Sequence, residues 1–482
     1  MMDRIAPDDL PSEAIPNVLA SRYASAAIRS VWSPVGRVII ERELWTAVLE
    51  AQAELEIPTP ASAVRDYRAV VRKVDLDSIR ARERITRHDV KARIDEFCSL
   101  AGHEVIHRGL TSRDVTENVE QMLIRQSLQI LADKTVAVLG RMAARALEHR
   151  DTVIVSRTHN VPAQPTALGK RFADAAAETL LAFRRLEYLI DKCPLRGLKG
   201  AVGNQQDLLD LFDGDADKVE YLERSVAERL GFRETLSAVG QVYPRSLDLE
   251  VVAALVQLSA GPSSLATTLR LMAGHDLVTE GFARGQVGSS AMPHKRNMRT
   301  CERIGGFSVL LNGYLGMAGA LAGGRWNEGD VSDSVVRRVM IPDSIFACDG
   351  LLEAMLHVLD GFTAFPGTIQ AELEAELPFF SSTRLLTAGV QAGMGREEAH
   401  EVIRHHTLAA ADARHRGNGY DLWEALGADR SFPLDGHEIR QVVMSGVPTG
   451  RAADQIDQVA AEVSEVVAEH PDTAAYQPET LL

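Results

Sequence analysis

The chain has 482 residues, of which 45% are hydrophobic, 25% charged and 5% aromatic; these shares are ordinary for a globular protein and exclude disorder along the whole chain. At about 150 residues per domain, the length predicts about three domains. The formal net charge of −15 disfavours binding to nucleic acids and to anionic membranes, but a locally basic site for a small anion remains compatible with it.

Cysteine usage and the first residues predict the compartment. Cys98, Cys193, Cys301 and Cys348 lie far apart and form no CxxC pair. This spacing predicts free thiols in a reducing cytoplasm rather than a disulfide framework or a thiolate zinc site. The first ten residues are acidic and lack an apolar core, so we expect no secretory signal and a cytoplasmic location.

Helical periodicity dominates the chain. Residues 1–20 predict a polar tail, and residues 21–112 predict short helices joined by loops. Five long helical segments then predict an up-and-down bundle; they cover residues 114–150, 166–191, 246–275, a segment that includes 304–324, and 334–359. Pro262 lies inside the third segment, where it predicts a kink or a break.

Shorter helices follow Pro366, and no convincing strand alternation recurs along the chain. We therefore predict an all-α subunit in three parts. They are an N-terminal helical domain (1–113), a central long-helix bundle (114–364) that carries a loop at 285–297, and a C-terminal helical domain (365–482).

One segment is long enough to span a bilayer. The 21 residues from 304 to 324 carry no charge, and a transmembrane helix needs about 20 apolar residues. Seven of the 21 are glycine, and Ser308 and Asn312 interrupt the apolar run. The segment therefore predicts a helix buried on all sides in a large helical core, with no membrane partner. Such burial is easier if subunits associate.

The first motif with possible chemistry is the pentapeptide from His103 to His107, which fits HExxH. On a helix, histidines four residues apart share a face and can hold zinc, with Glu104 as the base. Three fixed positions arise often by chance, and no third ligand follows at a familiar spacing. A zinc hydrolase is therefore the weaker interpretation, and a partly buried helix end is the simpler one.

The second motif is the string GQVGSSAMPHKRN at 285–297. Its glycine-rich start predicts a mobile loop, and its polar end leads into a helix that carries Glu302. A solvent loop with a basic turn is the alternative, but no turn requires the string from Met292 to Asn297. The string resembles the signature loop GSSxMPxKxN of the fumarase/aspartase superfamily, which cleaves C–N or C–O bonds and releases fumarate or a relative. Its AMPHKRN form is most similar to that of the adenylosuccinate lyase family.

Seven further stretches resemble the same family, in the same order along nearly the whole chain. They are RYAS (22–25), TRHDV (86–90), IHRGLTSRD (106–114), SRTH (156–159), KGAVG (199–203), QVYPR (241–245) and EGDVSDSVVRR (328–338). The resemblance implies a three-part helical subunit whose long helices form the core of a homotetramer, with active sites shared between subunits and no cofactor. It also implies that His107 lines the active site without a metal.

The resemblance implies β-elimination of fumarate from an anionic nucleotide that carries a succinyl-amine, in purine nucleotide biosynthesis. The substrates would be adenylosuccinate, which gives AMP, and SAICAR, which gives AICAR. Ser289 would be the general base, activated by Lys295 and loop amides, and His159 the general acid, with His88 in a supporting role. The substrate-binding residues that the resemblance implies are Arg22, Tyr23, Arg87, Asp89, His107, Thr111, Ser112, Gln241, Ser290, Arg296, Asn297, Ser334 and Arg338.

The chain departs from the family pattern close to the nucleotide side. The departures are Asn204, Met298, Arg303, Gly329, Asp333 and residues 335–337. The reaction class is therefore implied more firmly than the substrate. One alternative is a paralogue that performs the same elimination on another succinyl-amine or nucleotide analogue in secondary metabolism. Another is a non-catalytic structural protein, against which the intact Ser289, His159 and Lys295 argue.

Overall fold

The computed structural model of the chain describes residues 16–282, 291–292, 294–444 and 446–479. The first elements are α1 (Val18–Arg22), α2 (Ala26–Trp32), α3 (Pro34–Glu54), α4 (Ala63–Val70), α5 (Leu76–Thr86), α6 (Asp89–Ala101) and α7 (Ser112–Glu148). They are followed by β1 (Val153–Thr158), β2 (Val161–Ala167), α8 (Leu168–Lys192), α9 (Gln206–Leu211), α10 (Ala216–Arg229), α11 (Ser246–Ala273), β3 (Val278–Thr279), α12 (Arg299–Leu321), α13 (Ser334–Gly361) and β4 (Thr363–Ala364). The last are α14 (Pro366–Phe380), α15 (Ser382–Gln391), α16 (Arg396–His415), α17 (Leu422–Gly427), α18 (Gly436–Met444), α19 (Ala452–Glu469) and α20 (Pro471–Ala474).

The all-α prediction is confirmed, and the five predicted long helices are α7, α8, α11, α12 and α13. Of the kink or break predicted at Pro262, the break does not occur, because α11 runs without interruption from Ser246 to Ala273. A proline removes one helical hydrogen bond, but α11 packs against α8, α12 and α13. We infer that this packing on several sides keeps the helix continuous through the missing bond.

The long helices build the main core. Its buried side chains are mostly Leu, Ile, Val and Ala of α7, α8, α11, α12 and α13, as the low aromatic content requires. Ile28 of α2 and Ile456 of α19 belong to the same cluster. A second cluster around Trp45 and Phe97 joins α3, α4 and α6 to the first half of α7, and a smaller one around Phe432 lies in the C-terminal part. The predicted division at 113/114 and 364/365 remains a proposal.

One hairpin occurs where the sequence shows no convincing strand alternation. Strands β1 and β2 pair antiparallel, with Val153 opposite Ala167 and Thr158 opposite Val161. The turn between them is His159-Asn160, whose φ angles of 53° and 64° lie in the left-handed region. The register shifts between Val155 and Arg157, and both strands are largely exposed or half-buried. A bulged strand whose buried residues are consecutive rather than alternate produces no regular alternation, which explains why the sequence pattern did not reveal it.

The prediction that residues 304–324 are buried on all sides is wrong for the single chain. Helix α12 buries Ile304 and Leu311 against its neighbours, but Val309 is 73% exposed and Met317 is 43% exposed. A Cβ added at Gly306 meets no atom of the described residues within 4 Å. The physical reason is that, within the described part of the chain, only α11 and α13 make extensive contact with α12, so one face is covered and the other is open.

Among the described residues, α11 and α12 are long and apolar enough to cross a membrane by length and composition alone. Core helices pass the same test, so the finding is weak evidence for a membrane span. The most apolar window of α11 is 56% buried and that of α12 is 22% buried.

Candidate active site

A cleft of about 680 Å³, which we call the His88 cleft, lies where α6, α7 and α13 begin. Three helix N-termini therefore converge on it, and the free amides and dipoles of helix N-termini favour anions. Several predicted site residues, scattered over 250 positions of sequence, line this one space. They are His88, Asp89, Ser112, Ser334 and Arg338.

His88 is oriented by the start of α6. Its Nδ1 accepts a hydrogen bond from the Lys91 backbone N–H at 3.2 Å. In the neutral imidazole the proton is therefore on Nε2, which lies 3.4 Å from the Ser112 hydroxyl oxygen. The side chain of His88 is 51% exposed. His88 thus directs Nε2 toward Ser112, and its half-exposed side chain stays accessible to a ligand in the cleft.

The start of α7 is held by a buried carboxylate. The Asp114 side chain accepts hydrogen bonds from the Thr111 backbone N–H (2.8 Å) and from the Lys199 backbone N–H (2.8 Å). Arg196, which is fully buried, donates to the same carboxylate at 2.7 Å. Asp114 therefore connects the first turn of α7 to the 199–203 stretch, and this fixes the backbone that presents Thr111 and Ser112.

A second buried network holds the start of α13. Arg337 lies 2.6 Å from Glu120 and 2.7 Å from Asp248, and all three side chains are largely or fully buried. Arg245 pairs with Glu117 at 2.8 Å and with Asp333. These ion pairs attach α13 to α7 and α11. Two departures from the family pattern, Asp333 and Arg337, thus help to hold the start of α13 at the cleft, a structural role that sequence reasoning missed.

The cleft carries charges of both signs, and their pairing decides which are available. Burial raises the pKa of Asp89, but Arg93, 3.0 Å away, and the hydrogen bond from the Val90 backbone N–H together hold that pKa below its ordinary value. Arg113 pairs with Glu117 at 3.1 Å. Among the described residues, Arg338 has no ion-pair partner and is exposed. Its guanidinium is therefore available for bidentate contact with a phosphate or carboxylate.

His159 lies in a different place. It is exposed in the turn between β1 and β2 and is not among the residues that line the His88 cleft. The hairpin is attached to α14, because Arg157 forms an ion pair with Glu372. The neighbouring Asn160 lines a separate cleft of about 350 Å³ beside α8 and α11.

The end of the signature loop forms a third location. Lys295, Arg296 and Asn297 line a cleft of about 920 Å³ beside the end of α11, and Lys295 and Arg296 are exposed. Ser289 and Ser290 lie outside the described residues. Glu280, which sequence reasoning missed, accepts the backbone N–H groups of Thr300 (2.9 Å) and Cys301 (3.0 Å). It therefore caps the first turn of α12, the helix that follows the signature loop.

Arg22 and Tyr23 also lie away from the His88 cleft. Arg22 ends α1 and is exposed, and the ring of Tyr23 packs edge-on against Phe307, with centroids 5.2 Å apart. Tyr23 also lies against Gly350 of α13, where an added Cβ would be 3.0 Å from the Tyr23 Cβ. Gly350 lies twelve residues beyond Arg338, which corresponds to about 18 Å along a helix.

Three further predicted residues are not among those that line these three clefts. Arg87 is exposed in a left-handed conformation (φ 51°) immediately before His88. Gln241 is half-buried, and its backbone N–H donates to the Glu328 carbonyl. His107 is mostly buried, and its Nδ1 accepts from Trp45 Nε1 at 3.2 Å; burial lowers the pKa of its imidazole.

The zinc interpretation of HExxH is contradicted. Helix α6 ends at Ala101, so the pentapeptide that follows is not helical and its histidines do not share a helix face. His103 pairs with Asp66 at 2.9 Å, whereas His107 is held by Trp45. In the part of the chain that the structure describes, no group of three or more His, Cys, Asp or Glu side chains is placed to hold a metal ion.

Comparison with known proteins gives consistent matches. The family model described as Lyase matches residues 31–313, and the one described as Adenylosuccinate lyase C-terminus matches residues 378–459. Adenylosuccinate lyase of Saccharomyces cerevisiae is 35% identical over 447 residues, covering 91% of this chain and 92% of that protein. Adenylosuccinate lyase of Schistosoma mansoni is 32% identical over 447 residues, covering 92% and 93%.

Solved structures share the fold at lower identity. The 3-carboxy-cis,cis-muconate lactonizing enzyme of Pseudomonas putida superposes with a TM-score of 0.80 at 18% identity, covering 93% of this chain and 99% of that chain. A fumarate lyase of Mesorhizobium sp. BNC1 superposes with a TM-score of 0.76 at 20% identity, covering 91% and 98%. These likenesses show a common architecture over more than nine-tenths of this chain.

Proposed function

Because the chain belongs to the adenylosuccinate lyase family of the fumarase/aspartase superfamily and is a C–N lyase, we propose that it releases fumarate from adenylosuccinate and from SAICAR. The other products are AMP and AICAR, and the pathway is purine nucleotide biosynthesis. The observation that carries the proposal is the His88 cleft. It presents His88, Ser112, Ser334 and Arg338 at three converging helix N-termini, a donor-rich surface that suits the carboxylates and phosphate of such a substrate.

In the proposed reaction, Ser289 removes a proton from the carbon next to a succinyl carboxylate. The electron pair of the broken C–H bond forms the C=C bond of fumarate. The C–N bond breaks, and His159 donates a proton to the leaving nitrogen. A serine hydroxyl is a weak base, so Lys295 and loop amides would favour its alkoxide. The charge that develops on the carboxylate needs preorganised donors, for which Ser112, Ser290 and Asn297 are suitable.

The proposal includes a homotetramer with shared active sites. His88, His159 and Lys295 occupy three separate locations in one chain, and a single elimination needs them around one substrate. Helix α12 offers an open apolar face, with Val309 73% exposed, which association of subunits would cover. We propose that copies of the chain join through such faces and bring the three groups together.

The proposed enzyme works in the cytoplasm without cofactor or metal. The four cysteines are free thiols, and three of them are buried, which suits a reducing compartment. The proposed chemistry uses proton transfer and hydrogen bonding only, so none of its steps requires a metal or an organic cofactor.

The test is fumarate release from purified protein supplied with adenylosuccinate, SAICAR or argininosuccinate. We expect fumarate from the first two and none from the third, with Ser289→Ala protein as the inactive control. Fumarate release from none of the three would contradict the proposed substrate. Release from another succinyl-amine instead would favour the alternative, a paralogue of secondary metabolism, for which Gly329 and the other departures are the motivation.

A further inference from the structure

The main core contains a buried lysine that faces two carboxylates. Lys134 of α7 is 2% exposed, and its ammonium lies 2.6 Å from Glu353 and close to Asp349, both on α13. One ammonium cannot satisfy four carboxylate oxygens. Because an unsatisfied buried carboxylate is costly, this cluster requires further hydrogen-bond donors.

Those donors come from two distant parts of the chain. The Tyr476 hydroxyl donates to Glu353 Oε1 at 2.6 Å, and the Glu479 backbone N–H donates to Glu353 Oε2 at 2.7 Å. The Ser25 backbone N–H donates to Asp349 at 2.6 Å. We call residues 470–479 the strap. The cluster thus joins the strap to the turn between α1 and α2.

The strap also contacts this turn directly. The Glu479 carboxylate accepts the Ala26 backbone N–H at 2.8 Å. Ser25 and Ala26 open α2, where backbone amides have no partner within the helix. The strap is itself anchored, because His357 Nε2 lies 2.7 Å from the Glu479 carbonyl and Arg141 donates to the Tyr476 carbonyl at 2.8 Å.

The turn held in this way begins with Arg22 and Tyr23. Tyr23 is fixed on its other side by Phe307, at 5.2 Å between ring centroids. Carboxylates of α13 and of the strap therefore hold the backbone just after these two residues, while the Arg22 side chain stays exposed.

We propose that Glu479 is a positioning residue: the strap fixes the turn at 22–26 so that Arg22 and Tyr23 are placed to bind the substrate phosphate. This inference rests on the proposed function, which assigns the phosphate to these two residues. Glu479 acts through the backbone of Ala26 and does not itself touch the substrate. Its loss therefore weakens binding of the phosphate and leaves proton transfer intact.

The test compares ligands with and without the phosphate. In Glu479→Ala we expect the Kd of AMP and the KM of adenylosuccinate to rise about tenfold, the scale expected when a charged hydrogen bond is lost. The Kd of adenosine should not change, and kcat should stay within about twofold. Glu479→Gln keeps an oxygen that can accept from Ala26 and should restore most of the affinity. Asp472→Ala, an exposed carboxylate of the same strap, is the matched control and should resemble wild type.

Equal weakening of AMP and adenosine would overturn the inference, because it would indicate general structural damage. Unchanged affinity for AMP would also overturn it. The two proposals fail separately. Wild-type protein that releases no fumarate from adenylosuccinate overturns the proposed function. The role of the strap predicts faster hydrogen exchange at the amides of Ser25 and Ala26 in Glu479→Ala than in wild type. Exchange that is no faster overturns this role, whatever the substrate.

Discussion

Glu120 lines the His88 cleft and allows a quantitative test of the ion-pair network that holds the start of α13. Its carboxylate lies 2.6 Å from Arg337 and 3.0 Å from Arg37, and its side chain is 17% exposed. The substitution Glu120→Gln keeps the shape of the side chain and removes its charge. We expect it to weaken the attachment of α13 to α7 and to lower the free energy of unfolding.

The magnitude follows from the pKa of Glu120. Burial raises this pKa, but Arg337, Arg37 and Arg245 together outweigh burial and hold it at about 2 rather than 4.5. At about 1.36 kcal/mol per pKa unit, the charged carboxylate contributes about 3 kcal/mol to stability. Because the pKa is lower in the folded state, this contribution is complete above pH 4.5. It is lost progressively as the pH falls from 4.5 toward 2.

The assay is urea unfolding followed by circular dichroism, at one protein concentration because the stability of an oligomer depends on concentration. Wild type and Glu120→Gln should differ by about 3 kcal/mol at pH 7.5 and by clearly less at pH 3.5. The control is Glu401→Gln, which breaks an exposed pair with Arg404 and should have no measurable effect. Equal stability of wild type and Glu120→Gln at pH 7.5, or a difference that does not change with pH, would refute the reasoning.

The remaining predictions concern the chemistry and the assembly. Ser289→Ala should lower turnover by about 10²–10⁴-fold and stop exchange of the substrate β-hydrogen with solvent deuterium. His159→Gln should retain some of this exchange. The opposite pattern would mean that His159 is the base and Ser289 the acid. Mixing inactive His159→Ala and Ser289→Ala proteins under subunit exchange should restore part of the activity, and no recovery in verified mixed oligomers would argue against shared sites. Chelator-treated protein should keep full activity and contain no stoichiometric zinc; a tightly bound zinc whose removal abolishes activity would contradict the metal-free mechanism.

Local sequence patterns are sufficient for the long helices. The ends of α7, α8, α11 and α13 lie within two residues of the predicted ends, because an apolar stripe with helical spacing is read from a short window. The motif strings likewise indicate the family, because each is a short run of specific residue types. The HExxH pentapeptide shows the limit of such patterns, because three matching positions do not specify a helix, and Gly102 ends α6 with a φ of 77°.

The sequence by itself thus determined the helical class, the order of the long helices, the family and the residues whose chemistry suits an elimination. Only the tertiary structure decided where those residues lie. It placed His88 and Arg338 in one cleft and His159 on a hairpin elsewhere, and it left one face of α12 open. It also joined Lys134 to Asp349 across 215 positions, and Ser25 to Asp349 across 324. Contacts at such separations depend on how whole helices pack, and no periodicity within a short window encodes them.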